Sequence, residues 1–341
     1  MFRVFDNETA DGVWSDVAAT LLCSDVVLQQ GRGGLTREIM HAALSIRDPR
    51  QRWIGSRHPA MNPAFAIAEV IWMIRGRQDS AFLNFFNKDL PKFAGKGQTY
   101  HGAYGFRLRH HFGIDQIERA YQALRANKDS RQVVLQIWDS RIDLPYADGQ
   151  SAASDIPCNV VAFLKVRGQK LEWTQSMRSN DLFRGLPHNI IQFTSLQEII
   201  AGWLDLEVGH YHHYSDSLHM YSSDGYANPI LTPTKTPRNM ESLSLPKAQS
   251  EAAFSILAEY VEKIIDPRTV PEMIVSDAKH EQLPQPFVNL ALIIGAEALR
   301  RRGNMRLMES MIHQCTNQCL KFMFTRYVAR MNPKAVSAQS I

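Results

Sequence analysis

Apolar and polar positions divide the chain into short alternating stretches and longer runs spaced for helices. From Cys158 to Val166 the alternation predicts a half-buried strand, Arg167-Gly168-Gln169-Lys170 a turn, and Leu171 to Arg178 the returning strand of a hairpin. Val133 and Val134 make Arg131 to Trp138 strand-like, and His210-Tyr211-His212-His213 would alternate its side chains on a strand. Helical spacing covers residues 14–29, a run from Pro63 through Ile71-Trp72-Met73-Ile74, and Asn189 to Leu204, where Ile190, Phe193, Ile200 and Leu204 share one face. Gly31-Arg32-Gly33-Gly34 predicts a flexible loop suited to phosphate, Asp143 to Asp155 a surface loop, and Pro229, Pro233 and Pro237 a further loop after Tyr221. Helical patterns resume over Ala252–Ile265, Pro286–Arg302 and Met305–Met331 without repeats, and the tail after Pro333 is expected to be disordered.

Composition narrows the class without naming a reaction. The 341 residues carry 38 Lys+Arg against 34 Asp+Glu, a net charge of +4 that does not announce nucleic acid as a partner. Such a length can bury a large core, as one big domain or one domain with an extension. Met1-Phe2-Arg3-Val4-Phe5-Asp6 lacks the apolar region of a signal peptide, and no apolar run approaches a membrane span, so the expected location is the cytoplasm with no membrane partner. Cys23, Cys158, Cys315 and Cys319 show no disulfide framework, and Cys315 and Cys319, one helical turn apart, read as core packing.

Cys158 is the candidate nucleophile. A free thiol titrates near pH 8.5, and a neighbouring guanidinium favours the thiolate by about 1.4 kcal/mol per pKa unit. The hairpin would return Arg178 to the side of Cys158. A buried structural cysteine beside a surface arginine is the bland alternative. Glu69, in Ile67-Ala68-Glu69-Val70-Ile71, is costly to bury unless it titrates high or orders water for proton transfer. His210, His212, His213 and His219 raise the question of zinc, but no Cys or acidic residue lies at the usual chain spacing, so no metal is expected.

The segments Asp155-Ile156-Pro157-Cys158-Asn159, Arg178-Ser179-Asn180-Asp181 and Gly185-Leu186-Pro187-His188-Asn189 together resemble the active-site core of the thymidylate synthase superfamily. Ala68-Glu69-Val70-Ile71-Trp72 resembles its glutamate helix, and Gly102-Ala103-Tyr104-Gly105 with Arg107 its tyrosine loop. Asp129-Ser130-Arg131-Gln132 resembles its arginine-bearing strand, and Ser217-Leu218-His219-Met220-Tyr221 its sugar-binding segment. The likeness runs from about Arg32 to about Tyr221 and implies an α+β fold, a large mixed sheet flanked by helices. The expected division is a catalytic domain over 1–240, a helical extension over 241–332 and a flexible tail over 333–341. A symmetric homodimer packed sheet to sheet is implied, with Arg131 reaching into the partner's site.

The resemblance also implies roles. Cys158 would add to C6 of a pyrimidine nucleoside monophosphate, assisted by Glu69, Tyr104 and Arg178, while the Asn189 amide reads N3–H and O4 of the base. Arg32, Arg131, Arg178 and Ser179 would hold the 5′-phosphate, and His219 and Tyr221 the sugar hydroxyl. Asp181, Gly185 and Leu90 would lie on the side of 5,10-methylenetetrahydrofolate, the one-carbon donor. Asparagine at 189 suits uracil, whereas family members acting on cytidylates tend to carry aspartate there.

Departures from the family pattern bear on the product. Leu90 or its neighbours stand where methylating members usually have a tryptophan, and Ser337-Ala338-Gln339-Ser340-Ile341 shows no clear equivalent of their closing C-terminal segment. Asn159 replaces a histidine and Gln132 an arginine. Water could then capture the methylene, which favours hydroxymethylation of (d)UMP over reductive methylation to a thymidylate. Cytidylate hydroxymethylation and an idle nucleotide-binding homologue remain the other readings.

Overall fold

The computed structural model of the chain describes residues 2–22, 26–31, 33–223 and 234–331. Expectations for Cys23, Arg32, Pro229, Pro233 and the tail after Pro333 fall outside these. The described strands are β1 (Arg3–Asn7), β2 (Val27–Gly31), β3 (Gly34–Ile46), β4 (Val134–Gln136), β5 (Asn159–Arg167), β6 (Lys170–Met177), β7 (Asn180–Asp181) and β8 (Glu207–Tyr221). They form one sheet in the order β1-β3-β8-β6-β5-β4, with β2 added to β3 and β7 to β8. β1 runs parallel to β3, and β6 and β7 parallel to β8, while the remaining pairs are antiparallel. This is the mixed sheet flanked by helices that the resemblance implies.

Period-2 patterning sets which face the core takes. On β6, Leu171, Trp173, Gln175 and Met177 are buried while Glu172, Thr174 and Ser176 stay half-exposed on the other face. Against the buried face lies the Leu186–Trp203 helix, which is buried almost all round rather than on the single stripe its sequence predicts. The Pro63–Ile74 helix packs on it, capped by Asn62, whose side chain accepts from the N–H groups of Ala64 and Phe65, with proline at the first turn. All of that helix is buried except Glu69, which keeps partial exposure.

Helices at Lys247–Ile265, Gln285–Arg301 and Gln318–Met331 feed Phe254, Phe287 and Phe324 into the same continuous core. Burial of each such ring contributes about 1.5–3 kcal/mol relative to exposure. Cys315 and Cys319 are free, buried thiols, as core packing requires, and burial pushes them up to about 11 and about 12. Among the described residues no helix is long and apolar enough to cross a membrane.

Four local expectations are corrected. The first helix is Ala10–Leu22, and Val27–Gly31 is a strand because its backbone pairs with Gly34–Glu38, a partner the helical spacing could not reveal. The strand expected over Arg131–Trp138 shrinks to Val134–Gln136, whose outer edge bonds instead to the Gln116 side chain. Asp143 is no exposed loop residue: it is the buried end of the short, otherwise exposed Ser140–Asp143 helix, and its carboxylate accepts the forked Arg107 guanidinium. The helix expected from Met305 to Met331 breaks at Cys315-Thr316-Asn317, where Asn289 captures the Thr316 N–H and Asn317 caps the next helix.

Candidate active site

The hairpin of β5 and β6 forms as its alternation predicts, with Asn159 paired to Met177. Cys158 sits just before β5, partly exposed, and its carbonyl accepts the Arg178 N–H at 3.0 Å. Arg178 spends two of its nitrogens on the cysteine loop, Nε on the Pro157 carbonyl at 3.1 Å and Nη2 on the Ile156 carbonyl at 3.2 Å. Its guanidinium also lies 5.4 Å from the Trp138 ring. The positive charge is thereby fixed beside the thiol loop, and among the described residues Nη1 has no partner and is the edge left to an anion.

Glycine packing aims Tyr104 at this loop. A Cβ on Gly105 would lie 2.2 Å from the Met73 carbonyl oxygen, so the tyrosine turn rests directly on the end of the glutamate helix. Gly102 donates its N–H to Asp155 Oδ2 at 2.8 Å, which joins the tyrosine turn to the loop three residues before Cys158. The Tyr104 ring stacks on Phe193 at 6.0 Å. Burial, then the nearby Cys158, then Asp155 and Glu69 hold its phenol well above its ordinary range, against a hydrogen bond from Asn159.

Glu69 is paired. Its carboxylate meets His188 Nδ1, both side chains being 14% exposed, and the His188 ring packs 5.0 Å from Phe65. His188 was quoted in the sequence only as part of a motif, and its partner lies 119 residues away, so spacing gave no signal of the pair.

Asn189 is held from both ends. Its Oδ1 faces Asn159 Nδ2 at 3.5 Å and its Nδ2 donates to Asn180 Oδ1 at 3.2 Å. Behind these, Gln175 donates to Asn159 at 2.9 Å, and Asn180 meets His213 Nε2 at 3.0 Å. Gly185 makes room for this arrangement, because a Cβ there would lie 2.6 Å from Asn180 Oδ1. His213 is buried against Tyr211 and Ser215, and burial lowers it to about 3, so it stays neutral.

The flank carries Asp181, His219 and Tyr221. β7 sets Asp181 opposite His219, and the Leu182 N–H closes on the His219 carbonyl at 2.8 Å. The Asp181 carboxylate accepts from the N–H groups of Phe183 and Arg184 at 2.7 Å, and its second oxygen meets the half-exposed Arg184 guanidinium at 3.0 Å. Arg184 in turn lies over the rings of Tyr221 at 5.2 Å and Phe93 at 5.9 Å. Neither Arg184 nor Phe93 was singled out by sequence. Leu90 begins the same short helix as Phe93, Leu90–Ala94, and is partly buried.

Ser179 is half-buried between Arg178 and Asn180. Arg131 stays exposed and makes no hydrogen bond or ion pair among the described residues. Arg32 lies outside the described residues, but its neighbour Gly33 comes so close to Tyr221 that an added Cβ would meet Cε1 at 2.8 Å.

The family model of thymidylate synthase matches residues 56–279. A deoxyuridylate hydroxymethyltransferase of Bacillus phage SP01 is 32% identical over 231 residues, covering 64% of this chain and 59% of the relative. One of Pseudomonas phage M6 is 36% identical over 200 residues, 55% of each chain. A putative thymidylate synthase of Methanothermobacter marburgensis is 29% identical over 221 residues, 64% of this chain and 93% of the relative. The chain thus spans little more than half the length of the two phage relatives. With the matched segment containing Cys158, Tyr104, Asn189 and the Glu69–His188 pair, the chain belongs to the thymidylate synthase family.

Proposed function

We propose that this chain transfers a one-carbon unit from 5,10-methylenetetrahydrofolate to C5 of a pyrimidine nucleoside monophosphate, and that its product is a hydroxymethylated uridylate. The observation that carries this reading is the convergence of Cys158 and Tyr104, on turns held by Asp155 and Arg178, with the Asn189 amide, which the Leu186–Trp203 helix presents and Asn159 and Asn180 hold from both ends.

In this reading the Cys158 thiolate bonds to C6 of the base, and the C5–C6 π electrons move through C4 onto O4. Asn189 donates to that oxygen from Nδ2 and accepts N3–H at Oδ1. Asn159 and Asn180 fix the amide before substrate arrives, so little reorganisation is needed as charge develops. After C5 has bonded to the one-carbon unit, its proton leaves toward Tyr104 and the Glu69–His188 pair as the bond from that carbon to the folate nitrogen breaks; water then adds to the resulting exocyclic methylene, and expulsion of Cys158 restores the C5–C6 double bond. Arg178 Nη1, Ser179 and Arg32, with Arg131 of a second subunit, take the phosphate; His219 and Tyr221 take the sugar.

Methylenetetrahydrofolate supplies the one-carbon unit at the oxidation level of formaldehyde. The flank suits it: Asp181 offers a carboxylate acceptor whose Arg184 partner is half-exposed and replaceable, and Leu90 and Phe93 supply apolar surface beside it. A leucine at position 90 shields less than an indole would, which favours water as the final nucleophile over hydride. The names of the phage relatives point the same way. Reductive methylation is the second reading, supported by the archaeal relative's name.

A homodimer through the open sheet face is part of the same reading. Val134, Phe163, Thr174, His212 and Ser45 form a row across that face, with Val134 and Phe163 exposed. We assign residues 1–240 to the catalytic unit and the later helices to its support.

The test is product analysis with dUMP, dCMP, UMP and CMP offered separately with methylenetetrahydrofolate. A gain of CH2O on dUMP or UMP supports the proposal; a gain of CH2 selects the methylating reading, and a product only from cytidylates overturns the base assignment.

A further inference from the structure

Away from Cys158, the sheet face assigned above to the homodimer carries a cluster that the proposed chemistry does not use, and a bound cation there would face the second subunit. We propose that Glu172, His210 and His212 form a binding site for a divalent transition-metal cation of the zinc type. One ligand atom from each lies within 4.8 Å of the other two. Chain spacing offers these histidines no acidic ligand; the fold brings one from 38 residues away, on the neighbouring strand.

Local geometry shapes the cluster. Between the Leu171–Val208 and Trp173–Tyr211 pairs, β8 spends one residue more than β6, a bulge of the kind that re-aims side chains. The His210 N–H exposed there donates to Glu172 Oε2 at 2.9 Å. Gly209 permits this approach, since a Cβ would lie 2.5 Å from Glu172 Oε1. The carboxylate is therefore anchored to the strand that carries both imidazoles, which stand two residues apart and so share a face.

The third strand completes the arrangement. Ser45 on β3 pairs with His212, and its Oγ lies 2.9 Å from His212 Nδ1. A hydroxyl accepting Nδ1–H fixes the tautomer that keeps the Nε2 lone pair for a metal, the usual outer-shell device for a histidine ligand. The His210 and His212 rings are 6.1 Å apart at 77°, so they do not stack on each other. Lys165, paired with Glu172 across β5 and β6, directs its ammonium over the Phe163 ring at 5.7 Å. Two neutral imidazoles and one carboxylate make a borderline-soft set that suits zinc rather than magnesium or calcium. Tetrahedral zinc needs ligands about 3.3 Å apart, so closure asks each side chain to move by about an ångström and leaves a fourth position to water or to a group of the second subunit.

The test uses full-length, tag-free protein stripped with a chelator. Zinc chloride is titrated by calorimetry, and cobalt chloride is followed by visible absorption. One zinc per chain, binding at least about tenfold weaker in both His210→Ala and Glu172→Gln and weakened less in Ser45→Ala, is the expected result. Cys158→Ala should keep that stoichiometry, which separates this site from the thiol. Cobalt should give the intense bands of four- or five-coordination in the parent and lose them in His212→Ala. Unchanged affinity in the folded His210→Ala and Glu172→Gln chains, or no zinc uptake by the parent, would overturn the proposal.

Discussion

Asp155 Oδ2 accepts the Gly102 N–H at 2.8 Å, and this bond makes the loops bearing Cys158 and Tyr104 a single unit. Replacing Asp155 by alanine frees the Gly102 N–H and lets the phenol drift from the thiol. The expected result is a fall in kcat of about 10² with KM changed far less, because misplacement of reacting groups acts on the chemical step. Steady-state kinetics on a folded Asp155→Ala chain decide it; an unchanged kcat means the two loops are positioned independently.

Asn189 reads the base through an amide held by Asn159 and Asn180. Asn189→Asp presents a second acceptor in place of Nδ2, which repels O4 of uracil and accepts from the amine of cytosine. The ratio of kcat/KM for dUMP over dCMP should drop on the order of a hundredfold. Competition between the two nucleotides in one vessel measures this ratio directly, and a ratio that stays put would remove Asn189 from base selection.

Burial lowers His213 from its ordinary value of 6.5 to about 3. The unfolded chain therefore takes up a proton that the folded chain refuses as pH drops below about 6.5, so acid costs stability and raising the pH restores it. The contribution is about 1.4 kcal/mol per pH unit between the two values. His213→Gln, which keeps a polar side chain in the network, should lose this part of the slope. Urea unfolding of both chains at about pH 7 and about pH 5 checks the sign; parallel pH dependences would show that His213 is protonated in the folded state.

Arg131 is exposed and has no hydrogen-bond or ion-pair partner among the described residues. If it serves a second subunit, Arg131→Ala and Cys158→Ala chains, each inactive alone, should recover activity when mixed. Statistical exchange gives one intact site per hybrid dimer. A mixture that exchanges subunits by native mass spectrometry yet stays inactive argues that the sites are not shared.

How much of this was legible in the sequence follows the distance between partners. The β5–β6 hairpin and the Pro63–Ile74 helix are local, so alternation, a turn and a cap specify them. Cys158, Asn189 and Tyr104 could be named from their segments and do lie together. What stayed hidden is long-range. Val27–Gly31 reads as helix until β3 is there to pair with it. Asp143 looks like one more polar loop residue until Arg107, buried and forked onto it, is seen. His188 and Glu172 gain meaning only from Glu69 and from the bulge in β8. Periodicity reports which way a side chain points, and it carries no information about which distant residue it will meet.

The most direct test of the central claim is intact-mass analysis after incubation with 5-fluoro-dUMP and methylenetetrahydrofolate. Fluorine at C5 blocks the final elimination, so the account predicts a covalent complex of protein, nucleotide and folate on Cys158 and none on Cys158→Ala. A parent chain that binds the nucleotide, shown separately by calorimetry, yet forms no adduct would contradict it.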